Sequence, residues 1–222
     1  MKTFMALGAV AAMGLASPVL AASNLITNGG FEDGFASWTL GNTGGGTPPV
    51  VIPFGSSADY PDGAFGEPIL PNPTGGSFVA YFSSDSAHPD SLSQIINVVA
   101  GQTYTLSFDY YVPLNGLNNP GDADLGFFID GKQAGDFLNA EDTPAREWRT
   151  FTTSWDSGAV FGPVDLSFQF FGEGFGGTAA DFAIDNVSMT AVPEPATWAL
   201  LIAGFALVGV SMRRRHTMVS FA

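Results

Sequence analysis

Residues 103–112, TYTLSFDYYV, limit most narrowly what this chain can fold into. Tyr104, Leu106, Phe108 and Tyr110 alternate with Thr105, Ser107 and Asp109. Period two sends successive side chains to opposite faces, so the stretch reads as a strand with one buried and one wet face. Short segments of strand-forming residues recur at 25–27, 77–82, 92–98, 148–153, 164–171 and 182–190, broken by turn residues. Residues 124–129 and 132–134 flank Asp130-Gly131, a pair suited to the positive φ values of a type I′ hairpin turn. The Gly/Pro-rich region 41–76 reads as long loops with one strand at 50–52. Many short strands without an amphipathic helix predict an all-β domain, a β-sandwich or jelly roll. In the last segment Phe182 and Ile184 share one parity, and Val187 and Met189 the other. A bulge near Asp185 and Asn186 keeps all four inward.

The two ends read differently. Residues 1–21 carry Lys2, an apolar stretch over 4–16 and Val19-Leu20-Ala21, the layout of a secretory signal peptide cut after Ala21. Residues 192–215 read VPEPATWALLIAGFALVGVSMRRR: a Pro193-Glu194-Pro195 triplet, an apolar run over 196–212, then Arg213, Arg214 and Arg215. Such a run is at the short end of what spans a bilayer. The arginines favour the cytoplasmic side. One C-terminal transmembrane helix is therefore expected, with the domain outside. The chain divides into 1–21, a β-domain over 22–191, and a tail over 192–222.

Between the ends, 20 acidic residues face three basic ones, Lys132, Arg146 and Arg149, a net charge of −17. Phosphate is repelled by such a surface, which excludes nucleic acid and disfavours anionic membrane. The chain has no cysteine, so disulfides, thiol catalysis and thiolate metal sites are excluded. His88 is the one histidine in the domain, before Pro89 in a polar loop; His216 lies in the tail. A multi-histidine zinc site is therefore impossible.

The order of triplet, apolar run and arginines resembles the PEP-CTERM sorting signal of exported proteins in Gram-negative bacteria that make exopolysaccharide. The resemblance implies an exosortase as partner, recognising Pro193, Glu194 and Pro195 and cutting near them. The other reading is a plain membrane anchor that is never cut. A second resemblance spans about residues 24–190. Asn28-Gly29-Gly30-Phe31-Glu32, Trp38-Thr39, Leu92-Ser93-Gln94-Ile95, the residue 101–108 stretch GQTYTLSF and Ile184-Asp185-Asn186-Val187-Ser188 follow the order seen in galactose-binding-like jelly rolls, which include many carbohydrate-binding modules. That resemblance implies a structural Ca²⁺ between the first and last strands, with Glu32 and Asp185 among its ligands. Oxygen donors suit a hard cation. The alternative is that both acids cap turns or stay solvated.

Sugar binding asks for aromatic faces beside polar groups. Trp38 and Trp148 stand where relatives bury a tryptophan. Tyr60, Tyr111 and Trp155 are the ligand-binding candidates: Tyr60 in the long loop, Tyr111 on the wet face of its strand, Trp155 beside Asp156 at a strand end. The expected function is an exported, exosortase-processed surface or matrix protein whose non-catalytic jelly roll binds exopolysaccharide or another glycan. The alternatives are an adhesive protein without a sugar site and a small glycan hydrolase using two of the acids.

Overall fold

The computed structural model describes residues 23–42, 48–56, 67–83, 89–114, 123–172, 181–193 and 195–213. The expected leader, Tyr60, His88, Glu194, Arg214 and Arg215 lie outside the described residues. The strands are β1 (Thr39–Asn42), β2 (Val50–Pro53), β3 (Phe78–Phe82), β4 (Asp90–Val98), β5 (Thr103–Tyr111), β6 (Asp124–Ile129), β7 (Lys132–Gln133), β8 (Leu138–Asn139), β9 (Arg149–Asp156), β10 (Gly162–Phe171) and β11 (Phe182–Ala191). A helix, α1 (Pro195–Arg213), follows. The strands form two antiparallel sheets, ordered β1-β4-β10-β6-β7 with β8 also on β6, and β2-β3-β11-β5-β9. We call them the β4 sheet and the β5 sheet.

Their inner faces enclose a core rich in phenylalanine. Leu92, Ile96, Leu125, Phe127, Leu166, Phe168 and Phe170 come from the β4 sheet, and Leu106, Phe108, Phe82, Ile184 and Met189 from the β5 sheet. Phe108 sits among the rings of Phe127, Phe151 and Phe168, at centroid distances of 5.5, 5.2 and 5.0 Å. With no cysteine in the chain, burial of this core takes the place of disulfides in holding the sheets together.

The expected hairpin forms: Asp130 and Gly131 have φ of 53° and 69°, and Ile129 pairs with Lys132. So does the expected bulge. The β11–β5 register shifts between Asp185 and Ser188, and Asn186 takes φ 51°. Phe182, Ile184, Val187 and Met189 are all buried as a result. Residues 25–27 do not form the expected strand; their segment is held by one bridge, Asn24 to Thr190, and by Gln94, whose side chain exchanges two hydrogen bonds with Thr27 at 2.8 and 2.9 Å.

The tail corrects an expectation. Among the described residues no helix is long and apolar enough to cross a membrane. The 19 residues of α1 rise about 28 Å at 1.5 Å each, just short of a ~30 Å hydrocarbon core, and its first turn contains Pro195 and Thr197. Its apolar side chains are exposed on all sides, among them Ile202, Phe205, Leu207 and Val210.

Phe108→Ala removes the ring that links Phe127, Phe151 and Phe168. It should lower the unfolding free energy by about 3–5 kcal/mol, read from denaturant titration; a loss under ~1 kcal/mol would mean that the core does not depend on it.

Candidate functional site

The first and last motifs of the domain meet on the outer side of the β5 sheet. Asn28 organises the turn that brings them there. With φ 54°, it donates from Nδ2 to the Gly34 and Ala36 carbonyls at 2.9 and 3.1 Å and accepts from the Asp33 N–H at 3.2 Å. Gly29 then lies against the bulge: the Val187 N–H donates to its carbonyl at 2.9 Å, and a Cβ on Gly29 would come within 2.0 Å of the Val187 carbonyl oxygen. Only glycine fits that contact. Phe31 is buried against Trp38 at 5.4 Å. Glu32 is thereby carried out to the surface, where Oε1 accepts from the Ser77 and Phe78 N–H groups at 2.7 and 3.1 Å.

Asp185 lies beside it, 1% exposed. Its Oδ1 accepts from the Asn186 N–H at 2.7 Å and its Oδ2 from Asn72 Nδ2 at 3.0 Å. Asp109 pairs with it across the sheet and takes four more donors: Asn72, Thr74, Thr150 and Asn186, at 3.0, 2.7, 2.6 and 2.9 Å. The network closes over Gly30 and Gly76. A Cβ on Gly76 would stand 2.8 Å from Glu32 Oε1 and 3.7 Å from Asp185 Oδ2, and one on Gly30 would stand 3.7 Å from Asp185 Oδ1. The two carboxylates thus converge on a cradle that side chains at these positions would fill.

Electrostatics separates the two aspartates. Burial pushes Asp185 up to about 6, helped by the neighbouring charges of Asp109 and Glu32, although hydrogen bonds from Asn186 and Asn72 oppose it. Burial also acts to raise Asp109, but its four hydrogen bonds outweigh this and hold it below the ordinary carboxylate range. Glu32 and Asp185 fit a divalent cation in charge and convergence, with backbone carbonyls needed to complete a shell of six or more oxygens. Among the described residues no group of three or more His, Cys, Asp or Glu side chains is placed to hold a metal ion by itself. Asn72, Thr74 and Asp109 are not among the expected site residues; the sequence places Asp109 on the wet face of its strand and Asn72 and Thr74 in the Gly/Pro-rich loop region.

Residues 67–77 form a strap over the outer face of the β5 sheet. Ile69 is buried there with Ile52, Val79, Tyr81, Tyr111 and Ala183, and Trp148 packs on Tyr111 at 5.3 Å. Trp148 Nε1 donates to the Leu70 carbonyl at 2.7 Å, and Arg146 pairs with Glu67. Tyr111 is therefore not exposed, contrary to the expectation of a wet face. Its side chain does leave the main core, as its parity dictates, but the strap covers it completely. Trp155 is corrected too. The parity of β9 turns it inward, half-buried and 5.9 Å from Tyr104.

The outer face of the β4 sheet has no such strap among the described residues. Phe137, 38% exposed, lies flat over Gly126, where a Cβ would meet its ring at 2.3 Å. Phe128 and Phe171 flank it at 6.0 and 5.8 Å. Gln169 stands beside Gly126 in register and opposite Ser91, and Ser167 pairs with both Ser93 and Phe128. The result is an aromatic platform next to small polar side chains. Of the sorting residues, Pro193 is exposed after β11, Pro195 opens α1 and Arg213 ends it.

Residues 191–215 match the PEP-CTERM protein-sorting motif, which marks an exported, exosortase-processed cell-surface protein. No curated protein sequence matches the chain. Solved structures share the fold, and the neighbours include carbohydrate-binding modules. TmCBM61, determined in complex with β-1,4-galactotriose, is 16% identical, with a TM-score of 0.52, covering 77% of this chain and all of its own. A cyclase from Fischerella sp. TAU is 15% identical with a TM-score of 0.52, covering 78% and 99%. The enzymatically active domain of bacteriophage CBA120 tailspike protein 4 is 16% identical with a TM-score of 0.51, covering 76% of this chain and 21% of its own.

Asp185 should make the stability of the fold depend on pH. Its folded value lies above its unfolded one, so the bound proton stabilises the fold; the gain is complete below about pH 4 and lost as pH rises through about 6. Asp109 acts oppositely, and its contribution disappears only as pH falls through its lowered value. In chelator, stability should rise by on the order of 2 kcal/mol from pH 7 to 4, and Asp185→Asn should flatten that slope. A wild-type profile flat over this range would remove the assignment.

Proposed function

We propose that this exported, exosortase-processed protein uses its jelly roll to bind a neutral glycan on the outer face of the β4 sheet, without turning it over. The observation that carries this reading is the aromatic platform. The ring of Phe137 is pinned on Gly126 and braced by Phe128 and Phe171, so it offers a face at little entropic cost. A pyranose stacks its apolar face on such a ring while its hydroxyls reach the side chains of Gln169 and Ser91. The net charge of −17 favours an uncharged or weakly charged polymer. The likeness to a module solved with a galactotriose supports the same ligand class.

The position of Asp185 supports a non-catalytic role. A glycosidase needs two carboxylates across the scissile bond, one of them with a raised pKa. Asp185 has such a raised value, but it is buried on the other sheet, tied to Asn72 and Asn186 beneath the strap. The platform and that carboxylate lie on opposite outer faces. An adhesive protein without a sugar site is the alternative.

Calcium at Glu32 and Asp185 belongs to the same reading. The ion would compensate the burial of the Asp185 carboxylate, which chiefly raises its pKa, and the smaller repulsion from Asp109 and Glu32, and would pin the turn holding Gly29 to the bulge, leaving the glycan face free. Its role would be structural.

Affinity electrophoresis tests the first claim. The domain should be retarded in a gel containing a neutral β-linked polysaccharide such as galactan, and Phe137→Ala should weaken retardation about tenfold with a melting curve close to the parent's. A folded protein silent on every glycan would favour the adhesive alternative. For the metal, calcium at 100 times its Kd should add about 2.7 kcal/mol, and Glu32→Gln should abolish the gain. Identical melting curves with calcium and with chelator would refute the site.

A further inference from the structure

We propose that the end of the sandwich from which the tail leaves is a lipid-contact surface, with Phe161 and Val99 resting in the outer layer of a bilayer beside the first turn of α1. Three pieces of chain build this end: the β4–β5 turn, the β9–β10 turn and the exit from β11. They are tied together. The Gly101 N–H donates to the Gly158 carbonyl at 2.7 Å, Ser157 Oγ to the Val99 carbonyl at 2.7 Å, the Val192 N–H to the Thr103 carbonyl at 2.8 Å, and Gln102 Nε2 to the Val192 carbonyl at 2.7 Å. The tip is therefore a braced unit and not three loose loops.

Its composition differs from the rest of the molecule. Residues 98–103, 157–163 and 191–193 contain no Asp, Glu, Lys or Arg, in a domain of net charge −17. Among the described residues the nearest acid, Asp156, is turned back to accept from the Gly158 N–H at 2.7 Å; Glu194 follows Pro193 in the linker to α1. Asp130, Lys132 and Asp165 stand about 10 Å down the strands. Glu67, Asp90, Asp124, Glu141, Asp142 and Asp181 gather at the other end, as the pairing of Phe170 with Asp90 and of Phe171 with Asp124 requires.

The tip also exposes its largest apolar groups. Phe161 is 77% and Val99 66% exposed, and since Val98 pairs with Gly162 the two sit side by side. Bulky apolar residues beside one another on turns that carry no charged residue mark a contact surface. The occupant follows from the chain itself. Only Val192, Pro193 and Glu194 separate β11 from α1, a helix apolar on every side, with Phe205 70% exposed. Three extended residues reach about 10 Å, so whatever apolar phase receives the helix is within reach of Phe161 and Val99. The acidic end then points away from the lipid, where a negatively charged membrane surface repels it least.

The absence of cysteine makes the test clean, because an introduced thiol is the only one. Ala100→Cys and Ala159→Cys at the tip, and Glu141→Cys at the far end, are all exposed and carry a nitroxide label. With the full chain reconstituted in phosphatidylcholine vesicles, collision of the tip labels with a water-soluble nickel chelate should fall about tenfold relative to the label at 141. Adding Val99→Ser and Phe161→Ser should restore it by a similar factor, since burying a Phe side chain is worth about that much. These serines replace exposed groups and should leave melting unchanged. Equal collision at both ends in vesicles would overturn the proposal. So would tip protection that persists in the serine variant, or that is already present without vesicles at micromolar protein, the sign of a second copy on this surface.

Discussion

The structure depends on one contact, the turn at Gly29 resting on the bulge at Val187. It joins the start of the domain to its last strand, with a backbone hydrogen bond between Gly29 and Val187 and no room for a side chain at 29. The bulge that receives the turn is itself forced by burial. Without an extra residue, Val187 and Met189 would face water while Phe182 and Ile184 faced the core. One local irregularity therefore serves three purposes. It keeps four apolar side chains inside, it supplies the seat for the N-terminal turn, and it holds Asp185 beside Glu32. In a chain without disulfides, this is how the open ends of the sandwich are closed.

The consequence is an asymmetric molecule. On the outer face of the β5 sheet, apolar residues at Val79, Tyr81, Tyr111 and Ala183 would be a large wet patch if left open. The strap at residues 67–77 covers them with Ile69, and its polar half delivers Asn72 and Thr74 to the aspartates. Both faces of the β5 sheet are thus committed to stability. The β4 sheet keeps its outer side in the open, with small polar residues and one aromatic cluster, and that difference places the proposed ligand there.

What was legible in the sequence is what local periodicity encodes. The alternation of β5, the Asp130-Gly131 hairpin and the parity change in β11 are patterns within a few residues, and each appears in the structure as read. The first and last motifs were also recognisable, although why Gly29 must be glycine became clear only with Val187 against it. What escaped depends on partners far apart in the chain. Asn72 meets Asp109 and Asp185 across separations of 37 and 113 residues. Tyr111 was assigned its face correctly, but no pattern in a Gly/Pro-rich loop says that it will fold back over that face. Trp155 seemed exposed because Asp156 follows it, whereas β9 parity sends only the aspartate outward. β1 shows no alternation in Thr39-Leu40-Gly41 and exists because β4 pairs with it. The count of apolar residues in the tail suits a spanning segment, whereas among the described residues no helix is long and apolar enough to cross a membrane.

The charge distribution connects these parts. A uniform spread of 20 acids would raise the self-repulsion of a compact domain on every side. Here much of the charge gathers toward the end opposite the chain's exit. Gathering has an energetic cost, visible where burial and the nearby charges of Asp109 and Glu32 lift Asp185 to about 6. A bound divalent cation would offset that cost locally, and the strap's amide and hydroxyl donors already do so for Asp109. The same arrangement leaves the β4–β5 and β9–β10 turns at the exit end without a charged residue, with Val99, Phe161 and Val192 exposed there. A molecule charged at one pole and apolar at the other has a preferred orientation at any water–lipid boundary. In that orientation the strands stand roughly along the boundary's normal, and the open outer face of the β4 sheet looks sideways into the space where an extracellular polymer would lie.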